Sequence, residues 1–316
     1  MRVAVIIPCL DEALTIGSVV SDFRSVLPEA AIVVVDNGSA DDTARVAAAH
    51  GAEVLQERRR GKGFAVRWAF RLVEADVYLL VDGDGTYPAA EARRLIQPIL
   101  DDEADVVIGG RLDPASRGEF RPLNRLGNWL FLATVNAIFG ARITDLLTGY
   151  RAMSRDFVKR APVLATGFEL ETELTILALE REFRTIEVPV TLTSRRAGSH
   201  SKIHVFGDGF RILNAIFSLL RDYRPLTFFG SLGLLSIVAG LLPGIFVTWE
   251  YTRTHEVRVP SAVLATGLEL VGLMLIIAGV ILTTLSRRFR EIDHQVASLQ
   301  QEVRRQGTAP PIDLAG

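Results

Sequence analysis

The chain contains a single cysteine, Cys9, and its opposite charges almost cancel, which leaves a formal net charge of −2. One thiol excludes an internal disulfide and fits a reducing compartment. The near-neutral balance provides no strongly basic surface, so we expect no nucleic-acid partner. Two nucleotide-binding signatures are also missing: no G-x-G-x-x-G follows the first apolar run, and no G-x-x-x-x-G-K-[ST] occurs. These absences disfavour a dinucleotide-dependent enzyme and a P-loop NTPase.

The N-terminal half alternates short apolar runs with segments of helical character. The runs are rich in β-branched residues, as buried parallel strands are, and lie at residues 3–7, 31–35, 53–56, 77–81 and 105–108. Helices are predicted between them. This βαβαβα order predicts an α/β fold with a doubly wound, mostly parallel sheet and right-handed crossovers. An alternating run at 185–193 predicts a further strand.

Two carboxylates follow the fourth predicted strand, in the sequence Val81-Asp82-Gly83-Asp84-Gly85-Thr86. Carboxylate oxygens suit Mg²⁺ or Mn²⁺, and open α/β sheets bind ligands at the carboxyl ends of their strands. Gly83 lacks a Cβ, so a ligand can lie against the backbone there. The pair therefore predicts a divalent ion that faces a diphosphate. A plain turn is the alternative, because Asp and Gly are turn residues.

Other predicted strands also end in polar residues, which converge at the same edge of the sheet. Carboxylates there can accept hydrogen bonds from a base or a ribose. A basic loop at 58–63 precedes a predicted helix and suits a diphosphate, although its arginines could equally form a solvated charge run. The candidate nucleotide-binding residues are Pro8, Leu10, Glu12, Val35, Asp36, Asn37, Lys62, Asp82, Gly83 and Asp84. Acidic residues at 169, 171 and 173 open a later predicted helix, whose dipole favours them.

Several short segments occur in one order that resembles a known family. They are Ile7-Pro8-Cys9-Leu10-Asp11-Glu12, residues 35–43, Gly61-Lys62-Gly63, Asp82 with Asp84, Gly110-Arg111 and residues 145–151. Through them, residues 1–202 resemble the family 2 glycosyltransferases of the GT-A fold. The similarity is greatest to polyprenyl-phosphate glycosyltransferases, such as dolichyl-phosphate mannose synthases and bacterial undecaprenyl-phosphate hexose transferases. Each segment is a weak signal alone, but their common order is specific.

The resemblance implies roles on the donor side of the site. Asp82 and Asp84 would hold Mg²⁺ or Mn²⁺ against the diphosphate of a nucleotide sugar, with Thr86 at a neighbouring ligand position. Arg196 and Lys202 match positions that contact the donor phosphates in relatives. The donor is expected to be a UDP-hexose or GDP-mannose.

The acceptor side is expected to use arginines. Arg111 and Arg125 would hold the acceptor phosphate, and Asp145 matches a carboxylate that serves as aligner or base in relatives. Asn37 stands where the family often has a second aspartate. This leaves Asp36 as the better candidate for recognition of the base.

The C-terminal third predicts a membrane anchor. Residues 226–249 carry no charge, and 259–286 carry only Glu269, which is either functional or protonated and paired between helices. About 24 residues at 1.5 Å each exceed a hydrocarbon core of about 30 Å. Two amphipathic or apolar segments, 126–139 and 203–221, are predicted to lie at the membrane interface, although core packing is an alternative for 126–139.

Positive charges flank the two predicted spans on one side. Arg221 and Arg224 precede the first span, and Arg287, Arg288 and Arg290 follow the second. The positive-inside rule places both termini in the cytoplasm. Apolar residues at heptad spacing after residue 290 also suggest self-association. The predicted parts are a catalytic domain at 1–202, a juxtamembrane helix at 203–224, two spans within 225–286 and a tail at 287–316.

Together these features predict an inverting, metal-dependent transfer of a hexose from a nucleotide sugar to a polyprenyl phosphate at the cytoplasmic membrane face. A different lipid or polysaccharide acceptor is one alternative. A processive polysaccharide synthase is disfavoured because the chain lacks the Q-x-x-R-W motif. A sugar-nucleotide pyrophosphorylase would need a glycine-rich basic loop after the first strand. A non-catalytic membrane scaffold would not need both aspartates and the cationic loops.

Overall fold

The computed structural model describes residues 1–111, 122–160, 162–165, 170–192, 217–218, 220–256 and 258–307, with the backbone alone at 122–128, 290, 293–294 and 296–307. The chain divides into two compact units, Met1–Phe210 and Arg211–Gly316. The first unit is an α/β domain, and the second contains two long helices. The predicted boundary at residue 202 and most of the predicted juxtamembrane helix, 203–216, lie outside the described residues.

Seven strands form one mixed sheet in the order β3-β2-β1-β4-β6-β5-β7. They are β1 Val3–Cys9, β2 Ala31–Asp36, β3 Glu53–Gln56, β4 Val77–Leu80, β5 Val106–Arg111, β6 Arg151–Ser154 and β7 Thr185–Val190. Every predicted strand is present. All four residues of β4 are buried. Because alternate residues of a strand point to opposite faces, this burial means that both faces of the sheet are covered at its centre.

One strand was not predicted, and it runs against its neighbours. β6 pairs antiparallel with both β4 and β5, whereas the other strand pairs are parallel. Its first residue, Arg151, lies opposite Leu80 and Ile108. The loop that leads into β6 therefore joins the carboxyl edge of the parallel strands. The sheet is mostly parallel, as predicted, but it is mixed at this position.

The helices of the first unit are α1 Ile16–Val26, α2 Thr43–Ala49, α3 Lys62–Leu72, α4 Ala92–Leu100, α5 Pro122–Phe139, α6 Arg155–Arg160 and α7 Leu170–Glu180. In α1, the apolar residues Ile16, Val19, Val20 and Phe23 recur at the spacing of one helical face. All four are buried in the main hydrophobic core. The predicted helix at 126–139 is confirmed within α5, where Trp129 is exposed. Its location at a membrane interface stays a prediction.

The described part of the second unit contains the long helices α8, Pro225–Thr254, and α9, Val259–Gly307, which pack against each other. A Cβ at Gly233 would lie 2.6 Å from the carbonyl oxygen of Gly272, and a Cβ at Gly272 would lie 2.6 Å from the carbonyl oxygen of Gly233. Such small residues let two helices approach closely. Pro225–Thr254 and Val259–Phe289 are long and apolar enough to cross a membrane, with mean hydropathies of 2.0 and 2.4. Glu269 is exposed on α9.

Candidate active site

Hydrogen bonds between loops bring the carboxyl ends of three strands together. The backbone N–H of Asn37, after β2, donates to the carbonyl of Cys9 at the end of β1 (2.9 Å). Thr15 Oγ1, in the loop after β1, donates to the carbonyl of Gly83, after β4 (2.8 Å). The polar residues that follow β1, β2 and β4 therefore share one edge, as the sequence predicted.

A lysine from another loop holds the Asp82 carboxylate. Lys62, the first residue of α3, places its ammonium between Asp82 Oδ1 and Glu171 Oε1, which is 2.5 Å from Lys62 Nζ. Glu171 lies in the first turn of α7, and its side chain is only 5% exposed. Burial lowers the pKa of Lys62, but the charges of Asp82 and Glu171 outweigh burial and raise that pKa above its usual value. Lys62 therefore stays charged.

The other side of Asp82 packs against Gly149, in the loop before β6. A Cβ at Gly149 would lie 2.4 Å from Asp82 Oδ2 and 2.8 Å from its Cγ. Only glycine fits there with this carboxylate in place. Asp82 is thus fixed by Lys62 on one oxygen and by the backbone of the loop before β6 on the other.

Asp84 is organised by Thr86, two residues further on. The backbone N–H and the hydroxyl of Thr86 both donate to Asp84 Oδ1, at 3.0 and 2.6 Å. Thr86 therefore orients the Asp84 carboxylate. Between the two aspartates, a Cβ at Gly83 would lie 2.5 Å from Cys9 Sγ. The sequence suggested that residue 83 is glycine so that a ligand can lie against the backbone. In the structure, the buried thiol of Cys9 also requires glycine at this position.

Arg111 and Asp145 form a bidentate ion pair. Arg111 Nε and Nη2 donate to Asp145 Oδ2 and Oδ1 at 2.5 and 2.9 Å, and the side chains are 17% and 3% exposed. Burial raises the pKa of Asp145, but the hydrogen bonds and charge of Arg111 outweigh it and hold that pKa below its usual value. A carboxylate held ionised in this way is a weak base. The geometry therefore favours an aligning role for Asp145.

The loop that carries Asp145 is fixed by Arg151, whose side chain is fully buried. Its guanidinium donates to the carbonyls of Leu146 (3.0 Å) and Thr148 (2.9 Å) and to Thr175 Oγ1 of α7 (2.6 Å). These bonds join the loop to the helix that bears Glu171. Sequence reasoning included Arg151 in a matching segment but gave it no role. The one sequence feature that could have drawn attention to Arg151 is its charge at the start of a short segment without other charges.

Two more side chains that support the site went unnoticed in the sequence. The hydroxyl of Tyr87 accepts a hydrogen bond from the backbone N–H of Gly149 (2.9 Å). Glu187 of β7 accepts from the backbone N–H and hydroxyl of Thr144, at 2.7 and 2.5 Å. Both residues act on the loop before β6 from distant parts of the chain, and no local pattern marks them.

Asn37, a predicted nucleotide contact, uses its side chain within the protein. Its Nδ2 donates to the carbonyls of Glu57 (3.2 Å) and Arg59 (2.7 Å), and its Oδ1 accepts from the backbone N–H of Gly61 (2.6 Å). Asn37 therefore positions the basic loop before Lys62. An aspartate at residue 37 could not donate the two bonds that Nδ2 makes.

Apart from Asp36, which ends β2, the remaining predicted residues divide into three groups. Leu10 and Glu12 lie half-buried in the loop after β1. Pro8 and Val35 are buried opposite each other within β1 and β2, so the placement of Pro8 after the first strand was wrong. The residues outside the described part of the chain are Arg196, Lys202 and the side chain of Arg125.

The site can now be compared with known proteins. Residues 4–161, half of the chain, match the sequence profile described as glycosyl transferase family 2. The chain belongs to glycosyltransferase family 2. It is 33% identical over 302 residues to glycosyltransferase AglJ of Haloferax volcanii, which covers 94% of this chain and 98% of the relative. It is 31% identical over 222 residues to the dolichyl-phosphate hexose transferase of the same organism, which covers 70% of this chain and 95% of the relative.

Solved structures agree on the fold of this glycosyltransferase. The glucosyl-3-phosphoglycerate synthase of Mycobacterium tuberculosis, in a complex with Mn²⁺, UDP-glucose and phosphoglyceric acid, gives a TM-score of 0.58 at 23% identity. The match covers 69% of this chain and 79% of the synthase. At this identity the likeness establishes the fold alone, and it confirms the GT-A prediction for the first unit.

The oxygen atoms that this glycosyltransferase offers as metal ligands suit a divalent ion. Asp82 and Asp84 offer hard carboxylate oxygens beside the hydroxyl of Thr86, at the edge where the strands end. Within the described ranges, no group of three or more His, Cys, Asp or Glu residues is arranged to hold a metal. Mg²⁺ commonly binds through one or two carboxylates together with substrate phosphates and water. The residues therefore fit an ion that a nucleotide diphosphate helps to bind.

Proposed function

We propose that this glycosyltransferase transfers a hexose, with inversion, from a nucleoside diphosphate sugar to a polyprenyl phosphate at the cytoplasmic face of a membrane. One observation carries the proposal: the acidic pair Asp82/Asp84 and the anchored guanidinium of Arg111 share one sheet edge, in a chain that ends in two helices of membrane-spanning length. The name of the dolichyl-phosphate hexose transferase relative supports the same class of acceptor.

The donor would bind through its diphosphate at Asp82 and Asp84. A divalent ion held there, beside Thr86, would neutralise charge on the departing nucleoside diphosphate as a Lewis acid. Asp36, at the end of β2, is the candidate for recognition of the base. Arg196 and Lys202 would bind the donor phosphates. UDP-hexose is slightly favoured over GDP-mannose.

The acceptor phosphate needs no strong base. Its second pKa is about 6, so it is largely dianionic at pH 7 and already nucleophilic. The protein must instead hold two anions close together, which Arg111 and Arg125 would do on the acceptor side. Asp145 would orient Arg111 through the bidentate pair. A single displacement by the phosphate oxygen at the anomeric carbon gives inversion and the polyprenyl-phosphate sugar.

Charge around the two long helices supports the orientation. Arg221 and Arg224 precede α8, and Arg287 and Arg288 follow the apolar part of α9. The opposite ends of the two helices carry fewer positive charges, Arg253 and Arg258. The positive-inside rule then places both termini, and the catalytic unit, in the cytoplasm. The juxtamembrane helix at 203–224 and self-association through the tail at 287–316 belong to the same proposal.

The test supplies membranes that contain the protein with radiolabelled UDP- and GDP-hexoses and a polyprenyl phosphate. We expect a labelled polyprenyl-phosphate sugar with one of the donors. Asp84→Asn should lower its formation by about 10²-fold or more, because several kcal/mol of charge stabilisation depend on this site. Asp156→Asn, which breaks a surface ion pair with Arg160, is the matched control. Undiminished product with Asp84→Asn would overturn the proposal, and label in another lipid or in a polysaccharide would change the acceptor.

A further inference from the structure

The ammonium of Lys62 occupies the approach to Asp82. It bonds Asp82 Oδ1, while Asp82 Oδ2 faces the backbone at Gly149, where even a methyl group would not fit. The Asp82 side chain is 31% exposed, and that of Lys62 is 13% exposed. Because Gly149 crowds Oδ2, a divalent ion is expected to approach Asp82 through Oδ1, the oxygen that the ammonium now holds.

Lys62 has a second partner that can retain it. Glu171 Oε1 lies 2.5 Å from Lys62 Nζ, and Glu171 is almost fully buried. A buried carboxylate that loses its cation is strongly destabilised. Lys62 is therefore expected to stay with Glu171 when it releases Asp82. The position of Glu171 is itself fixed, because the carbonyl of Glu171 accepts from Thr175 Oγ1 (3.0 Å) and Thr175 Oγ1 accepts from Arg151.

We propose that Lys62 is a resident cation that a divalent ion displaces from Asp82, and that Glu171 is the positioning residue that keeps the displaced ammonium at the site. The proposal rests on the metal-assisted reaction proposed above. The exchange brings the charges of the site into balance, because Asp82, Asp84 and Glu171 together outnumber the single ammonium before it. Before exchange, one ammonium is shared by two carboxylates. After exchange, the ion is matched by Asp82 and Asp84, and Lys62 forms a neutral pair with Glu171. The retained ammonium would then stand next to the donor diphosphate.

The exchange is tested by Mn²⁺ binding to the purified full-length protein in detergent, without donor, measured by the electron paramagnetic resonance signal of free Mn²⁺. Lys62→Met with Glu171→Gln removes both charges of the pair and leaves no buried charge alone. This double variant should bind Mn²⁺ about tenfold more tightly than the wild type, because the competing cation is gone. Glu171→Gln alone should bind about tenfold more weakly, because Lys62 then has Asp82 as its one carboxylate partner.

A matched control removes a similar pair elsewhere. Lys159 is 18% exposed and bonds Glu74 Oε1 at 2.8 Å, away from the strand edge of the site. Lys159→Met with Glu74→Gln should leave Mn²⁺ affinity unchanged. A purely structural role for Lys62 would weaken Mn²⁺ binding in the double variant.

The outcomes separate this inference from the proposed function. Equal or weaker Mn²⁺ affinity in the double variant, including no binding to either protein, overturns the exchange. So does unchanged affinity in Glu171→Gln. Sugar transfer should fall in the double variant although its ion binds more tightly. If the wild type transferred no sugar to polyprenyl phosphate, the proposed function would fail, while the order of Mn²⁺ affinities would still decide the exchange.

Discussion

Gly149→Ala is the substitution that tests the geometry of the acidic pair most directly. The backbone of Gly149 lies outside the left-handed region, so alanine adds no backbone strain. The added methyl would, however, lie 2.4 Å from Asp82 Oδ2, where an ordinary contact begins at 3.4 Å. The Asp82 carboxylate must therefore move by about 1 Å, and the partial exposure of its side chain leaves room for this movement, although the movement disturbs the ion pair with Lys62.

The size of the effect follows from that displacement. A misplacement of about 1 Å at a reacting centre costs about 10²-fold in rate. We expect Gly149→Ala to lower kcat for sugar transfer by about this factor. Stability should change little, because Lys62 keeps its ion pair with the buried Glu171 while the partly exposed Asp82 side chain rotates. The variant should also bind Mn²⁺ more weakly, since Asp82 no longer faces the site in the same way.

The assay compares glycolipid formation, Mn²⁺ affinity and thermal unfolding of the full-length protein in detergent. Gly267→Ala is the matched control, because nothing lies within 4 Å of the methyl group added there. A Gly149→Ala protein with wild-type kcat and an unchanged melting temperature would refute the reasoning. It would mean that Asp82 can leave its present position without any effect on the reaction.

Two other predictions concern ion pairs. Asp145→Asn should lower the free energy of unfolding by about 3 kcal/mol, because it leaves the half-buried Arg111 guanidinium without its carboxylate; an unchanged urea midpoint would contradict this. Hydrogen bonds from Arg59 lower the pKa of Glu57 from 4.5 to about 2. Because this pKa is lowered in the folded state, the stabilisation is complete above about pH 4.5 and is lost as the pH falls towards 2. Glu57→Gln should therefore lower the melting temperature at pH 7, and the difference should disappear near pH 2; a difference that persists there would count against it.

Local patterns predicted most of the fold. The apolar runs that form β1, β2 and β4 are short and contain β-branched residues. Such continuous apolar runs are typical of strands that are buried on both faces. The two apolar helices of the second unit were equally clear, because about 20 consecutive apolar residues are rare in other contexts. β6 was missed because its four residues, Arg151 to Ser154, include no β-branched residue, whereas the equally short β3 and β4 each contain a valine.

The acidic pair was predictable because its two members are separated by one residue in the sequence and follow a strand. The partners that fix the pair were not. Lys62 and Glu171 are 109 residues apart, and Arg111 and Asp145 are 34 apart. The helix dipole is enough to explain an acidic residue at position 171, in the first turn of a helix. The sequence therefore offered no reason to select Glu171 from its acidic neighbours.

The sequence by itself determined the fold class, the sheet edge at which the polar loops meet, the acidic pair and the two apolar helices, because each depends on the order of neighbouring residues. Only the tertiary structure decided which charges meet: Lys62 between Asp82 and Glu171, Arg111 with Asp145, and the bare backbone of Gly149 against Asp82. Charge pairing depends on distances in space. The inserted antiparallel strand β6 sets the last two of these contacts, because it carries the loop with Asp145 and Gly149 to the carboxyl edge of the parallel strands.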